Sequence, residues 1–113
     1  MKIVTKKEEW NVRVCASLGS QARGWMFRRD LPEDGLIFTL KKKQTMSLHT
    51  WFCFRSLDIL YVNEKRKVVK KYANVRPFTF FIPGVPATLI LEIKNRTLIK
   101  EGDKITIVKE KRR

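Results

Sequence analysis

Apolar and polar residues alternate along much of this chain. Trp10-Asn-Val12-Arg-Val14 has the two-residue period of a half-buried β-strand. That period, rather than the helical 3.6, dominates the rest of the sequence. Residues 36–40, 50–54 and 57–62 form short apolar runs that predict buried strands. After a turn at Asn63-Glu-Lys-Arg-Lys67, residues 68–73 predict a returning strand. Residues 87–93 and 105–108 complete the set, with residues 3–5 as an edge strand. Many short strands separated by turn signals predict a mainly β domain, a compact barrel or sandwich of about seven to nine strands.

Two stretches carry helix signals, so one or two short helices are expected. Ser17-Leu-Gly-Ser-Gln-Ala-Arg-Gly24 offers a serine N-cap and a glycine end. Residues 94–100 are the second, stopped by Glu101-Gly102-Asp103, whose Gly-Asp pair signals a turn before the last strand. Pro77, Pro83 and Pro86 bound Phe78-Thr-Phe-Phe-Ile82. Proline cannot donate to a strand ladder, so this run is an edge strand or a loop that closes one end of the barrel or flanks a pocket.

Length and composition narrow the class. A chain of 113 residues with a hydrophobic fraction of 43% predicts one domain, over residues 1–108, with an independent core. Residues 109–113 form a basic tail, the one place where disorder is expected. Lys2 and Lys6 interrupt the start before any signal-peptide run develops, and no stretch approaches 18 apolar residues. A soluble, cytoplasmic protein without a membrane span is expected, with a monomer favoured. Cys15 and Cys53 sit in apolar segments and predict buried, reduced thiols rather than a disulfide. With a single histidine they make no zinc motif, and no metal or cofactor is expected.

Charge sets the candidate partners. The net charge is +14 and the pI near 10.3. Such a surface attracts polyanions, including nucleic acid. Abundant lysine with sparse asparagine and glutamine also fits a thermophile's surface. The basic runs are Lys41-Lys42-Lys43, Lys65-Arg66-Lys67 with Lys70-Lys71, and the tail Lys111-Arg-Arg113. Trp51, Phe52 and Phe54 lie within reach, and aromatics among cations can stack single-stranded bases. Here the aromatics occupy a strand that reads as buried, and no RNA-binding aromatic signature is present. A solvated basic surface and a nucleic-acid face both stay open.

Two carboxylates stand out. Asp58 lies between Leu57 and Ile59 and shares an alternation face with Leu60 and Val62. Glu92 lies between Leu91 and Ile93 and shares a face with Ile90. A carboxylate in such surroundings needs a partner, and a bidentate arginine is the natural one. Arg23, Arg28, Arg29 and Arg55 are the cations nearest in the motifs. One reading is a structural ion pair that fixes strand register. The other is a polar ligand pocket formed by Arg23, Arg28, His49, Asp58 and Glu92. His49 has no serine or cysteine in a nucleophile motif beside it, so no triad follows from spacing. A carboxylate pair of the glycosidase kind is the sole enzymatic pattern, and two acids on two strands are a weak signal.

Three motifs occur in order: Arg23-Gly24-Trp25-Met26-Phe27-Arg28 leading into Asp34-Gly35-Leu36-Ile37-Phe38; His49, Trp51, Phe52, Leu57 and Asp58; and Leu91-Glu92 followed by Gly102-Asp103. Over roughly residues 10–108 the chain resembles family 192 of the domains of unknown function, small proteins without an assigned activity. The resemblance implies a barrel-like, mainly β fold with short helices and supplies no catalytic residues. Trp25, Cys53, Ser56 and Asn95 replace the leucine, methionine, proline and glycine usual at those places; Ser56 and Asn95 fall at turn-like positions and bear on loop geometry. The expected function is a non-catalytic ligand-binding or interaction module for a small ligand or polyanion. A nucleic-acid-binding accessory protein is the alternative, and a hydrolase the third reading.

Overall fold

The alternating segments become strands in the computed structural model, which describes residues 2–6, 8–15, 34–45, 56–77, 79, 81–94 and 97–108. The strands are β1 (Lys2–Val4), β2 (Glu9–Cys15), β3 (Gly35–Thr45), β4 (Leu57–Val62), β5 (Val68–Val75), β6 (Pro86–Ile93) and β7 (Thr106–Val108). They form one seven-stranded sheet in the order β5-β4-β6-β3-β2-β1-β7. Every neighbouring pair is antiparallel except β2 with β3. A parallel pair needs a long crossover, and the chain between Cys15 and Gly35 supplies it.

The sheet curls until its edges meet at one corner. Val68 N donates to Asp103 O at 2.9 Å, Gly102 N to Val68 O at 2.7 Å, and Ile105 N to Arg66 O at 2.9 Å. Lys67 and Lys104 form an isolated antiparallel bridge there. No continuous ladder joins β5 to β7, so the barrel is partly open. Its inner face holds one core cluster, with Ile3, Val12, Ile37, Leu60, Leu91 and Ile105 drawn from across the sheet. The opposite face of the central strands carries a second cluster, with Leu36, Phe38, Ile59, Tyr61, Ile82 and Ile90. Because β4 lies between the two, all six of its residues are buried. That explains why Leu57–Val62 reads as a nearly unbroken apolar run.

Gly35 sits where three strands crowd, paired with Val12 on one side and Ile93 on the other. A methyl group there would collide with the Glu92 carbonyl oxygen and lie 2.9 Å from Ile93 Cα. Only glycine permits this approach of β6 to β3.

Two expectations need correction. The N-terminal strand is not an edge: β1 is hydrogen-bonded to β2 on one side and β7 on the other, and the edges are β5 and β7. After β6 the chain returns to dock β7 outside β1. The helix expected over 94–100 is absent from residues 97–100. Their amides are taken by carboxylates instead: Thr97 N donates to Asp58 Oδ2 at 2.8 Å, Leu98 N to Glu8 Oε1 at 2.6 Å, and Lys100 N to Asp103 Oδ2 at 2.9 Å. Amides engaged this way cannot build a helical ladder.

The expected helix at 17–24, the expected strand at 50–54 and the tail at 109–113 lie outside the described residues. Of the proline-bounded run, residues 79 and 81–85 are irregular apart from one bridge at Ile82, whose side chain fills the outer cluster. Among the described residues no helix is long and apolar enough to cross a membrane.

Candidate functional site

Asp58 faces the inner core, and a bulge in β5 determines what it meets. Leu57 pairs with Val75 and Ile59 with Tyr72, which leaves Ala73 and Asn74 together opposite Asp58. Asn74 takes a left-handed φ of 52°, a conformation asparagine tolerates better than most residues. Asp58 Oδ1 accepts from Asn74 N at 2.8 Å and Oδ2 from Thr97 N at 2.8 Å. Lys71 Nζ lies 3.9 Å from Oδ2 and donates to Thr97 O at 3.0 Å and Ile99 O at 2.7 Å. The Asp58 partner is therefore two backbone amides and a lysine, not the expected arginine. Together Asp58 and Lys71 hold residues 97–99 across β5. Lys71, a sequence candidate for nucleic-acid contact, is turned inward with its side chain 17% exposed.

Glu92 faces the other way. It pairs with Leu36 on β3 and Ile59 on β4, both in the outer cluster. Burial pushes its carboxyl up to about 8. The Tyr61 phenol is raised mainly by burial, with further contributions from Tyr72 and Glu92. Its ring meets the Tyr72 ring edge-on at 6.2 Å. Asp58 pairs with Ile93 while Ile59 pairs with Glu92, one register step apart. One step exchanges the faces of a sheet, so the two carboxylates point away from each other. They cannot flank one scissile bond, which removes the geometry of a two-carboxylate hydrolase. Arg23, Arg28 and His49 lie outside the described residues.

Among the described residues six cations, Lys6, Lys65, Arg66, Lys67, Lys100 and Lys104, lie at the barrel's seam and the cleft beside it. Asn63 builds the β4–β5 turn: its Oδ1 accepts from Lys65 N and Lys67 N, each at 3.0 Å, and its carbonyl accepts from Arg66 N at 3.0 Å. Arg66 takes φ 62°. The turn leaves Lys65, Arg66 and Lys67 exposed and sets Lys67 directly opposite Lys104. Lys104 continues into a cleft of about 460 Å³ lined by Thr5, Lys6, Leu98, Ile99, Lys100, Gly102 and Asp103. Ion pairs between described residues engage Lys2, Lys43, Lys70 and Lys71. None of these reaches Lys6, Lys65, Arg66, Lys67, Lys100 or Lys104.

The other nucleic-acid candidates are placed differently. Lys43 lies 3.9 Å from Glu64, and Lys70 lies 4.0 Å from Glu101 and 5.2 Å from the Tyr72 ring centre. Lys41 and Lys42 belong to β3. The sequence runs omit Lys6, which adjoins Lys7, and Lys100 and Lys104, which stand singly among other residues. The one available signal is that Lys100 and Lys104 flank the Gly102-Asp103 turn.

The family model described as Uncharacterized ACR, domain of unknown function family 192, matches residues 1–107. The chain belongs to that family. A UPF0127 protein of Pyrococcus horikoshii is 29% identical over 103 residues, covering 86% of this chain and 87% of that protein. A UPF0127 protein of Thermococcus sibiricus is 27% identical over 92 residues, covering 78% of this chain and 58% of that protein. The crystal structure of a protein of unknown function from Novosphingobium aromaticivorans is similar with a TM-score of 0.80 and 26% identity. That likeness covers 94% of this chain and 82% of that one.

Proposed function

We propose that this member of family 192 is a non-catalytic binding module for polyanions, with nucleic acid as the ligand class and Lys65, Arg66, Lys67 and Lys104 as its contacts. The observation that carries the reading is the bridge between Lys67 and Lys104. Like charges placed directly opposite on paired strands destabilise the free protein. A phosphate backbone relieves that repulsion and releases its own counterions. The test is oligonucleotide titration, single-stranded and duplex, at low and physiological salt. Binding is expected to strengthen as salt falls. Neutralising Lys65 and Arg66 together should lower the salt slope by about 0.7–0.9 for each phosphate that is no longer neutralised. Absence of binding at low salt, or a slope unchanged in the variant, refutes the reading.

A second reading rests on Glu92. Glu92 is a carboxyl buried between Leu36 and Ile59 on the outer face of the sheet, and a polar group so placed is one a ligand's own polar group could pair with. In this reading Arg23, Arg28 and His49 join Glu92 in a ligand pocket, and Asp58 supports the fold from the other side of the sheet. A metabolite panel screened by thermal shift against the native chain and Glu92→Gln tests it. If no compound raises the melting temperature of the native chain, the pocket reading is withdrawn.

A further inference from the structure

We infer that the cleft between the β1–β2 turn and residues 98–104 is a separate site for a small dianion of the phosphomonoester class. The inference does not rest on the nucleic-acid reading, although Lys104 touches both surfaces. One wall carries Thr5 and Lys6, and the other runs from Leu98 to Lys104. Glu8 ties the two walls together. Its Oε1 accepts from Leu98 N at 2.6 Å, and its Oε2 from Trp10 Nε1 at 3.0 Å. Its backbone closes the β1–β2 turn, with Thr5 N donating to Glu8 O at 2.9 Å and Glu8 N to Thr5 Oγ1 at 3.1 Å.

The second wall is equally fixed. Lys100 N donates to Asp103 Oδ2 at 2.9 Å and Asp103 N to Lys100 O at 3.0 Å, while Gly102 takes a φ of 93°. Gly102 N also donates to Val68 O across the seam at 2.7 Å. A cleft whose walls are already ordered spends little free energy on ordering when a ligand enters.

Charge and shape define the ligand. The lining residues are Lys6, Lys100 and Lys104 against Asp103, three positive charges less one negative, or +2, while the Glu8 carboxylate stands outside the lining with its oxygens on the Leu98 amide and the Trp10 indole. A phosphomonoester carries about −1.5 to −2 at neutral pH and balances it. A carboxylate or a phosphodiester, with a single charge, leaves a surplus. The Asp103 carboxylate accepts from the Lys100 amide of its own turn, and the ion pairs between described residues do not involve Lys6, Lys100 or Lys104. Leu98 is 60% exposed beside buried Ile99 and gives the ligand's carbon body an apolar contact. The volume of about 460 Å³ falls within the roughly 300–1,000 Å³ of small-molecule sites.

The test is isothermal titration of the native chain at low ionic strength with phenyl phosphate, inorganic phosphate and benzoate. Phenyl phosphate is expected to bind most tightly, and benzoate more weakly by about tenfold or more, as a monoanion matches the lining charge less well. Lys6→Ser with Lys100→Ser, both exposed positions, should weaken phenyl phosphate by about tenfold or more and leave oligonucleotide binding intact. Leu98→Ser should erase the advantage of phenyl phosphate over inorganic phosphate. Three results overturn the inference: no binding of either phosphate at millimolar concentration, unchanged affinity in the Lys6/Lys100 variant, or equal weakening by neutralising Lys65 and Arg66. The last would show diffuse attraction to a basic surface instead of a site. Because the oligonucleotide assay is scored on different residues, failure of the cleft and failure of the nucleic-acid reading are distinguishable.

Discussion

Asp58→Ala is the most informative single substitution in the fold. It removes the acceptor of two backbone amides, from Asn74 and Thr97, and the carboxylate beside the Lys71 ammonium. A hydrogen bond to a charged acceptor contributes about 1.5–3 kcal/mol, so the two amide bonds together are worth about 3–6 kcal/mol. Lys71 keeps its two carbonyl acceptors, Thr97 O and Ile99 O, so its orphaning adds little. The expected loss is about 4 kcal/mol, a large share of the roughly 5–15 kcal/mol that stabilises a domain. At roughly 4 °C per kcal/mol for a chain of this size, the melting temperature should fall by about 15 °C. Asp58→Asn keeps one carbonyl oxygen and should lose about half as much. The assays are thermal melting and urea unfolding, with an unchanged m-value as the sign that stability alone has moved. Hydrogen exchange should also accelerate at the Asn74 and Thr97 amides. A melting temperature within about 3 °C of the native chain would refute the reasoning, since no pin of this strength could be removed so cheaply.

Glu92 predicts a pH dependence of the opposite kind from a paired carboxylate. Its folded value, about 8, lies above its ordinary 4.5, so its contribution is fully present below pH 4.5 and is lost as pH rises towards 8. Glu92→Gln should therefore flatten a decline of at most about 1.4 kcal/mol per pH unit over that window and exceed native stability above it; parallel denaturation curves for the two proteins would show the reasoning wrong. Lys67→Glu should gain about 0.5–1 kcal/mol by replacing a repulsive pair with an attractive one. The same change should weaken oligonucleotide binding at low salt; a protein that loses stability, or binds as before, contradicts the proposed role of the corner. Gly35→Ala should cost about 2–3 kcal/mol because β6 must move to admit the methyl group, and a urea midpoint indistinguishable from native would overturn that.

The strands are readable in the sequence because their cause is local. Leu57–Val62 emerges with the bounds its sequence implies, since a strand buried on both faces leaves an apolar run with defined ends. Asp58 and Glu92 are conspicuous for the same reason, as carboxylates set among apolar neighbours. What they meet is not readable. The Asp58 oxygens serve amides 16 and 39 positions away, one of them delivered by a bulge that no local motif announces. Whether two carboxylates on adjacent strands share a face depends on a single step of register, which alternation within one strand does not encode. Sheet order is equally non-local, so β1 reads as an edge although β7 covers it. The basic corner is half readable: Lys65-Arg66-Lys67 forms a run, whereas Lys104 reaches it only through the seam. The charge-rich, amide-poor composition agrees with relatives from thermophilic archaea.

The position of β1 between β2 and β7 also orders events in time. Of the seven strands β1 is synthesised first, yet one of its two neighbours, β7, is synthesised after all the others. A nascent chain ending before Thr106 holds β1 with an unsatisfied row of amides and carbonyls along that side. The sheet is finished only when β7 docks, so it is completed after its seventh strand has been made and not progressively in strand order.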